Sequence, residues 1–434
     1  MNTPQHSAER TEWFRRSRFG MFIHWGLYAI PARGEWVRSN EQMTEEAYQT
    51  YFDEFDPVRY NPREWARLAR EAGMKYAVLT AKHHDGFCLF DSALTDYKST
   101  NTRCGRDLVR EFLDAFRAEG LKVGLYYSLL DWHHPDYPHE SDRIHPMRGN
   151  PACGDEHRDF QNYIRYFHGQ VRELLTNYGR LDLMWFDFSY DQMSGERWHA
   201  SELMEMIHSL QPWLITDNRL EAAGESYGSL LSGNPSPYAG DFVSPEQLVP
   251  PEGIVDVNGD PVPWEACITL NDHWGYCAHD RHYKTAAMVI RHLVECVSKN
   301  GNLLLNVGPN AKGEIPPESV AVLKEVGSWM QKNGASVWNC GAAGLPKPDW
   351  GRLTRNGNRL YAHVTEPCIN AVALKIPADR ILKARLLSDG SEIAVETPWN
   401  AVAFPDYSFF TFGGRSFPLP DDRDTVVEFT LKET

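Results

Sequence analysis

The chain has 434 residues, of which 42% are hydrophobic and 24% are charged, proportions that are typical of a globular protein. Its formal net charge of −15 argues against nucleic acid or an anionic membrane as the main partner, because both favour a basic surface. No apolar run of about 18 residues occurs, so we expect no transmembrane helix. The length exceeds that of one ordinary domain and suits a large barrel with a smaller appended domain.

The N-terminal sequence and the cysteines bear on the compartment. The N-terminus has no apolar core and no cleavage signature, so it does not read as a signal peptide. Eight cysteines are scattered along the chain, and none forms a C-x-x-C pair, which disfavours a zinc ribbon or a thioredoxin-like site. Scattered thiols are typical of a reducing compartment. These features predict a cytoplasmic protein.

Strand and helix patterns alternate along the first three-quarters of the chain. The strand candidates are mostly continuous apolar runs, as expected for parallel strands that are buried on both faces. They are Phe19–Trp25, Tyr76–Lys82, Val123–Ser128, Leu181–Phe186, Trp213–Thr216, Cys267–Leu270 and Asn302–Val307. The helical patterns between and after them are Pro62–Ala72, Arg106–Glu119, Arg158–Asn177, Glu196–Leu210, Lys284–Lys299 and Glu318–Lys332. This repetition predicts an α/β fold, a (β/α)8 TIM-like barrel over residues 1–335 whose eighth strand is short or irregular.

The pattern changes after about residue 334, where short strands with turn signals replace the long helical patterns. The dipeptide Asp389-Gly390 is typical of a hairpin turn. The strand candidates are Arg359–Thr365, Ala371–Ile376, Ala384–Ser388, Glu392–Glu396 and Thr425–Leu431. We therefore expect residues 336–434 to form a second domain, a small antiparallel β-sandwich.

The stretch Leu181–Asp187 is the strongest functional candidate among the residues themselves. It predicts a buried strand that ends in a carboxylate, at the barrel end where active sites are built. Residues two apart on a strand face the same side, so Trp185 and Asp187 should project together. An aromatic surface beside an acid suits the binding and attack of a sugar. A structural role remains open, in which Asp187 caps the next helix or pairs with a cation.

Histidines and an arginine follow other strand candidates. His83 and His84 could donate hydrogen bonds to sugar hydroxyls or be buried structural histidines. A metal ion bound by His24, His83 and Asp187 is a further alternative. Because neighbouring strand residues face opposite sides, both histidines can enter one site only if the strand bends there. Arg219 could bind a hydroxyl or keep a carboxylate ionised, and a structural ion pair would be compatible with either role.

Glu246 is a candidate for a second acid, although the local sequence has a simpler explanation. Ser244, Pro245 and Gln247 match the N-cap, the first position and the capping box of a helix, where an acid also suits the helix dipole. The competing candidates for the second acid are Glu35, Glu221 and Glu265.

Several of these segments together resemble glycoside hydrolase family 29, the α-L-fucosidases. The segments with the most specific similarity are Phe19–Gly26, which contains Phe-Ile-His-Trp-Gly, and Tyr76–Phe87, which ends in His-His-Asp-Gly-Phe. The resemblance runs in order from about residue 12 to 335, and the C-terminal β-domain also fits the family. The other matching segments are Trp13–Phe14, Gly34–Trp36, Gly124–Ser128, Asp131–Trp132, Leu183–Asp187 and Gly301–Pro309.

The resemblance implies a retaining, exo-acting α-L-fucosidase with Asp187 as the nucleophile and Glu246 as the acid/base. One of Tyr126 and Tyr127 should reach the sugar, and we favour Tyr127. Relatives commonly have Asn-Asp-Arg where this chain has Asp217-Asn218-Arg219, so only the arginine is carried over. The substrate-binding residues that the resemblance implies are His24, Glu35, Trp36, His83, His84, Tyr127, Trp185 and Arg219.

The resemblance also indicates the reaction partners. The substrate would be a fucosylated oligosaccharide or glycoconjugate, and no metal or organic cofactor is required. A homo-oligomer is left open, including one in which a neighbouring subunit completes the site. A retaining mechanism predicts two carboxyl groups roughly 5–5.5 Å apart. The main alternative is a catalytically inactive fucose- or glycan-binding protein on the same fold, and a metal-dependent barrel hydrolase is a third possibility.

Overall fold

The computed structural model describes residues 8–151, 153–368, 371–396, 398–413 and 418–433. Within these ranges, seven parallel strands form one sheet in the order β5-β4-β3-β2-β1-β7-β6. Each predicted barrel strand is present to within a few residues of its expected ends. The observed strands are β1 (Phe19–Ile23), β2 (Tyr76–Lys82), β3 (Lys122–Ser128), β4 (Leu183–Asp187), β5 (Ile215–Thr216), β6 (Glu265–Thr269) and β7 (Asn302–Val307).

Residues 241–247, which we name the closing segment, lie between β5 and β6 and complete the barrel. On the β5 side, the amide of Asp241 donates to the carbonyl oxygen of Thr216 at 2.7 Å. On the β6 side, the amides of Val243 and Gln247 donate to the carbonyl oxygens of Pro263 and Cys267 at 3.0 and 2.9 Å. Because these contacts are parallel, the closing segment is the short, irregular eighth strand of the barrel. The sequence predicts such a strand but does not indicate its position.

The helix start that Ser244 and Pro245 suggest is wrong. Ser244 lies in the extended closing segment, where its hydroxyl accepts a hydrogen bond from Arg219 Nε at 2.8 Å instead of capping a helix. The chain enters the segment through Gly240, which has a φ of +81° and packs against Asp217 so closely that a Cβ would lie 2.1 Å from its carbonyl oxygen. A good capping sequence is therefore overridden by strand pairing on both sides.

Helices cover the outside of the barrel close to their predicted positions. Side-chain caps begin several of them: Asp107 accepts from the amide of Arg110 at 2.9 Å, and Thr285 from that of Met288 at 3.2 Å. The predicted helices are observed at Pro62–Glu71, Leu108–Ala118, Phe160–Asn177, Ala200–Leu210, Ala286–Ser298 and Pro317–Asn333. In the described part of the chain, the structure also has helices at Glu12–Ser17, Val37–Asn40 and Glu45–Glu54, which the sequence did not indicate.

The barrel interior is filled by aromatic and aliphatic side chains and does not form a pore. Phe22, Tyr76, Tyr126, Trp185 and Leu304 are all buried there, and they come from five different strands or strand ends of the sheet. This packing closes the barrel below its carboxyl end. Any cavity on this axis must therefore open at that end.

The C-terminal part consists of two antiparallel sheets, in the orders β12-β15-β10-β9-β8 and β11-β14-β13. The sheets face each other across a common apolar core, in which Phe410 lies 5.3 Å from Phe429, measured between ring centroids. The boundary at residues 335 and 336 stays a prediction. The strands are β8 (Gly341–Ala342), β9 (Gly351–Asn356), β10 (Arg359–Val364), β11 (Val372–Leu374), β12 (Ile381–Leu386), β13 (Val395–Glu396), β14 (Ser408–Phe410) and β15 (Thr425–Leu431).

Two further features concern the whole chain. All eight cysteines are free thiols. Among the residues that the structure describes, no helix is both long and apolar enough to cross a membrane.

Candidate active site

A pocket opens at the carboxyl ends of the barrel strands. Nine of the ten predicted site residues line it: His24, Glu35, Trp36, His83, His84, Trp185, Asp187, Arg219 and Glu246. The tenth, Tyr127, does not. The remaining lining residues are Phe22, Tyr126, Arg143, Phe188, Tyr190, Ala223, Gly224, Glu225, Cys267 and Trp274.

Asp187 lies deep in the pocket at the end of β4. As the strand alternation predicts, it faces the same side as Trp185, and both line the cavity. Its two oxygens have different partners: Oδ1 accepts from Arg219 Nη1 at 3.0 Å, and Oδ2 accepts from the hydroxyl of Tyr126 at 2.8 Å. The side chain is 12% exposed. These bonds fix the carboxylate and leave one edge accessible from the pocket.

Arg219 joins the two predicted catalytic acids. Its Nη1 binds Asp187, and its Nη2 donates to Glu246 Oε2 at 3.0 Å. The guanidinium is itself held in place, because Nε donates to the hydroxyl of Ser244 at 2.8 Å and the group stacks on Trp185 with Cζ 4.8 Å from the ring centroid. The two carboxylates therefore occupy neighbouring nitrogens of one planar, fixed cation.

The groups around Asp187 shift its pKa in opposite directions. Burial raises its pKa, Arg219 lowers it, and the nearby charge of Glu246 raises it again, for a pKa of about 6. The carboxyl is consequently ionised above about pH 6, and Arg219 is the main group that favours this form. Glu246 differs in position, since its side chain is 37% exposed at the rim of the pocket. One acid is deep and fixed, and the other faces the entrance.

The expectation that Tyr127 reaches the site is corrected by the register of β3 and β4. Tyr126 pairs with Trp185 in this ladder and shares its side, so Tyr126 is the tyrosine that lines the pocket. Tyr127 faces the helices, where its hydroxyl donates to Gln170 Oε1 at 2.7 Å. Two adjacent tyrosines look alike in the sequence, and only the pairing of the strands distinguishes them.

The chain does bend at the two histidines. The pairing of β2 with β3 shifts by one residue between Thr80 and Lys82, and a turn follows in which the amide of Gly86 donates to the carbonyl oxygen of His83 at 3.1 Å. Gly86 has a φ of +82°, which favours glycine. The rings of His83 and His84 consequently lie side by side, with centroids 4.1 Å apart.

The pocket histidines are held in the neutral form. Burial lowers the pKa of His24 to about 3 and lowers the pKa values of His83 and His84 well below the ordinary value. His24 Nδ1 lies 2.7 Å from Asn306 Oδ1, and His84 Nδ1 lies 2.6 Å from Ser128 Oγ. A neutral imidazole carries one donor and one acceptor, so these rings can bind hydroxyl groups without adding charge.

Glu35 and two tryptophans form another part of the wall. The amide of Gly275 donates to Glu35 Oε2 at 2.7 Å, and burial raises the pKa of this carboxyl. Trp36 lies 5.1 Å from His84, and Trp274, which the sequence did not assign to the sugar, lies 5.0 Å from His24 between ring centroids. The wall thus alternates apolar ring surface with hydrogen-bonding groups.

Two of the competing acids, Glu221 and Glu265, do not line the pocket. Glu221 accepts hydrogen bonds from the amide and hydroxyl of Ser229 at 2.7 and 2.8 Å. Glu265 lies inside the barrel, where it accepts a hydrogen bond from Tyr76, and burial raises its pKa to about 8. The rim carries one acid that the sequence reasoning missed, Glu225.

The potential metal ligands lie elsewhere. Among the described residues, the His, Cys, Asp and Glu side chains close enough together to share an ion are Asp272, Asp280 and His282. None of these three lines the pocket. The proposed grouping of His24, His83 and Asp187 around a metal is not among such clusters.

A (β/α)8-like barrel whose strand ends hold two acids on one arginine, among aromatic and hydrogen-bonding side chains, defines a glycoside hydrolase. The family model for alpha-L-fucosidase matches residues 2–335, and the chain belongs to this family. It is 29% identical over 398 residues to the tissue alpha-L-fucosidase of Rattus norvegicus, an alignment that covers 85% of this chain and 77% of the relative.

Solved structures agree with this assignment. Alpha-L-fucosidase isoenzyme 1 from Paenibacillus thiaminolyticus is 61% identical, with a TM-score of 0.95 over 99% of this chain and 100% of the other. A trapped covalent intermediate of a Bacteroides thetaiotaomicron GH29 alpha-L-fucosidase, obtained with 2-fluoro-fucosyl fluoride and a Glu-to-Gln mutant, is 30% identical. Its TM-score is 0.83 over 98% of this chain and 96% of the other. The chain is therefore similar to fucosidases over both its barrel and its β-sandwich.

The first prediction concerns Glu265. Its carboxyl has a pKa of about 8 in the folded protein against an ordinary value of 4.5, so folding takes up a proton between these pH values. The free energy of unfolding should therefore fall as the pH rises from about 5 to 9, and Glu265→Gln should remove up to roughly 4 kcal/mol of this fall. Urea denaturation at several pH values measures the free energy of unfolding of wild type and variant, with Glu221→Gln as the control. Parallel curves for wild type and Glu265→Gln would contradict it.

The second prediction concerns Arg219. The acid limb of kcat/KM should have an apparent pKa of about 6 from Asp187, with activity lost below it. Because Arg219 lowers this pKa, Arg219→Met should move the limb to higher pH and reduce the maximum. The measurement is the pH profile on an aryl α-L-fucoside. Arg143→Met, a change at the rim of the same pocket, should leave the limb in place; an unmoved limb in Arg219→Met would refute the assignment.

Proposed function

We propose that the protein is a retaining, exo-acting α-L-fucosidase that removes terminal α-L-fucose from fucosylated oligosaccharides or glycoconjugates. The observation that carries the proposal is the shared guanidinium of Arg219, which binds Asp187 with one nitrogen and Glu246 with the other. Double displacement requires two acids that act on the same glycosidic bond. Of the acids that line the pocket, Glu246 is the one bonded to the arginine that also binds Asp187.

The shape of the pocket supports action on a chain end. Below Asp187, the cavity ends on Phe22, Tyr126 and Trp185, whose rings pack against one another with centroids 5.3 to 5.9 Å apart. A glycan that continued in this direction would meet the packed interior of the barrel. A terminal sugar can enter, and the rest of the glycan then leaves past Glu246 at the rim.

In the first step, an oxygen of Asp187 attacks the anomeric carbon and the glycosidic bond breaks. Glu246 gives its proton to the leaving oxygen, so the released glycan departs as a neutral alcohol. Arg219 keeps Asp187 ionised beforehand. The product of this step is a fucosyl ester of Asp187.

In the second step, water attacks the same carbon while Glu246, now ionised, takes its proton. The ester bond to Asp187 breaks, and fucose leaves with its original anomeric configuration. Arg219 binds both acids throughout, so the negative charge that moves from one carboxylate to the other stays beside the same cation. The covalent intermediate trapped in the Bacteroides thetaiotaomicron relative supports this sequence of steps for the family.

Sugar recognition is assigned to the neutral histidines and the wall around them. His24, His83 and His84 supply donors and acceptors for hydroxyl groups, and Glu35 supplies an acceptor. His83 lines the pocket, and its buried Nδ1 has no hydrogen-bond partner within the described parts of the chain. The apolar methyl group of fucose suits an aromatic surface such as Trp36 or Trp274.

Two further assignments stay predictions, the absence of a metal requirement and the cytoplasmic location, and a homo-oligomer is left open. A metal-dependent hydrolase would lose activity on incubation with EDTA, and the mechanism above would not. The alternative of an inactive fucose-binding protein on this fold is disfavoured by the presence of an acid at Glu246 beside Asp187.

The third prediction tests the nucleophile. Asp187→Gly should lower the release of a chromogenic phenol from an aryl α-L-fucoside by at least roughly 10³-fold, because no group is left to form the ester. Added azide should partly replace the carboxylate and yield fucosyl azide of inverted configuration. The matched control is Tyr127→Phe, a change outside the pocket, which should retain wild-type activity. Substantial activity in Asp187→Gly would reject this role.

The fourth prediction tests the acid/base. Glu246→Gly should form the ester from an activated aryl fucoside but hydrolyse it slowly, and azide should accelerate turnover and yield fucosyl azide of retained configuration. The opposite configurations of the two azide products distinguish the roles of Asp187 and Glu246. Glu225→Gln, a change to the other rim acid, should show neither effect. Full activity without azide in Glu246→Gly would transfer the role to another acid.

A further inference from the structure

A buried ion pair lies directly behind the pocket histidines. Lys82 Nζ is 2.9 Å from Asp131 Oδ2, and the two side chains are 0% and 1% exposed. Neither residue lines the pocket. Removing two charges from water costs free energy that their attraction often does not return, so stability alone is a weak explanation for such a pair.

The pair connects the two turns that follow β2 and β3. Lys82 is the last residue of β2 and immediately precedes the turn at residues 83–86, which we name the histidine turn. Asp131 lies just after β3. Asp131 Oδ1 accepts hydrogen bonds from the amides of His133 and His134 at 3.0 and 2.9 Å, which fixes the second turn. One carboxylate thus holds the end of β2 through one oxygen and the turn after β3 through the other.

The turn after β3 also positions His84. The amide of Trp132, next to Asp131, donates to the carbonyl oxygen of His84 at 2.8 Å. The ring nitrogen Nδ1 of His84 lies 2.6 Å from the hydroxyl oxygen of Ser128. Gly86 fits against the carboxylate so closely that a Cβ there would lie 2.3 Å from Asp131 Oδ1. The backbone of the histidine turn is therefore held by the turn that Asp131 organises, and the ring of His84 is held by Ser128 at the end of β3.

The surroundings of Lys82 are built for a charge. Its ammonium lies 4.5, 5.7 and 5.9 Å from the ring centroids of Tyr127, Tyr163 and Tyr166, at distances where aromatic faces attract cations. Burial opposes ionisation of Asp131, but Lys82 and nearby histidines bring its pKa below the ordinary value. Asp131 is therefore ionised beside the ammonium group, and the ring of Tyr127, which lies on the face of β3 turned away from the pocket, packs against Lys82.

We propose that Lys82 and Asp131 are positioning residues of the fucosidase reaction. They hold the turn after β2 in the bent form that presents His83 and His84 together to the sugar. This inference rests on the proposed function, which assigns hydroxyl binding to the two histidines. The pair acts at a distance, because neither side chain reaches the substrate.

The test is a double-mutant cycle on kcat/KM for an aryl α-L-fucoside. Lys82→Met removes the charge and keeps an unbranched side chain that is one heavy atom shorter. It should lower kcat/KM of the folded enzyme by about 100-fold, the effect of a small displacement of binding groups. In a His84→Ala background the same change should lower kcat/KM by less than about tenfold, because the contact that Lys82 supports is already missing.

The matched control is Lys122→Met. Lys122 Nζ lies 2.8 Å from Asp182 Oδ1, so this is also a lysine–aspartate pair between β3 and its neighbour, but at the amino end of the strands. It should leave kcat/KM within about threefold of wild type in both backgrounds. A purely structural effect would lower the amount of folded enzyme by the same factor with or without His84, so coupling distinguishes positioning from destabilisation.

The outcomes separate this inference from the proposed function. If His84→Ala is as active as wild type, both the hydroxyl-binding role and the positioning role are overturned. If His84→Ala lowers kcat/KM but Lys82→Met does not, only the positioning role is overturned. The same holds if the two losses in kcat/KM multiply in the double mutant. Should Lys82→Met fail to fold, Asp131→Asn takes its place in the same cycle. It keeps an acceptor for the two turn amides and removes the charge that binds Lys82.

Discussion

The site depends on one guanidinium that holds two carboxylates. Arg219 is buried, stacked on Trp185 and bonded to Ser244, so its position does not depend on the acids that it binds. Without it, two neighbouring acids would repel each other and the deeper one would lose its proton only at higher pH. With it, Asp187 is ionised above about pH 6 while the second acid remains beside the same cation.

The contact of Arg219 with Asp187 and Glu246 also depends on how the barrel is closed. Asp187 ends β4, Arg219 follows β5, and Glu246 belongs to the closing segment, so three neighbouring elements of the sheet meet at one cation. The closing segment is irregular and ends in a left-handed residue, Gln247, with a φ of +51°. Its short pairing with β6 carries Glu246 to the rim, where a leaving group can reach it.

Burial determines how the remaining polar groups behave. The three pocket histidines are neutral because they are enclosed, and Glu265 below them has a pKa of about 8 for the same reason. Charge is retained where an opposite charge is within reach, as at Arg219 beside Asp187 and at Asp131 beside Lys82. The pocket is therefore polar in its hydrogen bonds, with its charge confined mainly to the acids and Arg219.

The sequence by itself determined the local features: apolar runs and helical periods predict the barrel strands and helices, and alternation on β4 predicts that Trp185 and Asp187 project together. The tertiary structure decided the features that depend on pairing between distant segments. The register of β3 against β4 selected Tyr126 over Tyr127, and pairing with β5 and β6 turned a capping sequence at Ser244 into a strand. Such choices are settled by hydrogen bonds and packing between residues far apart in the chain, which no local pattern records.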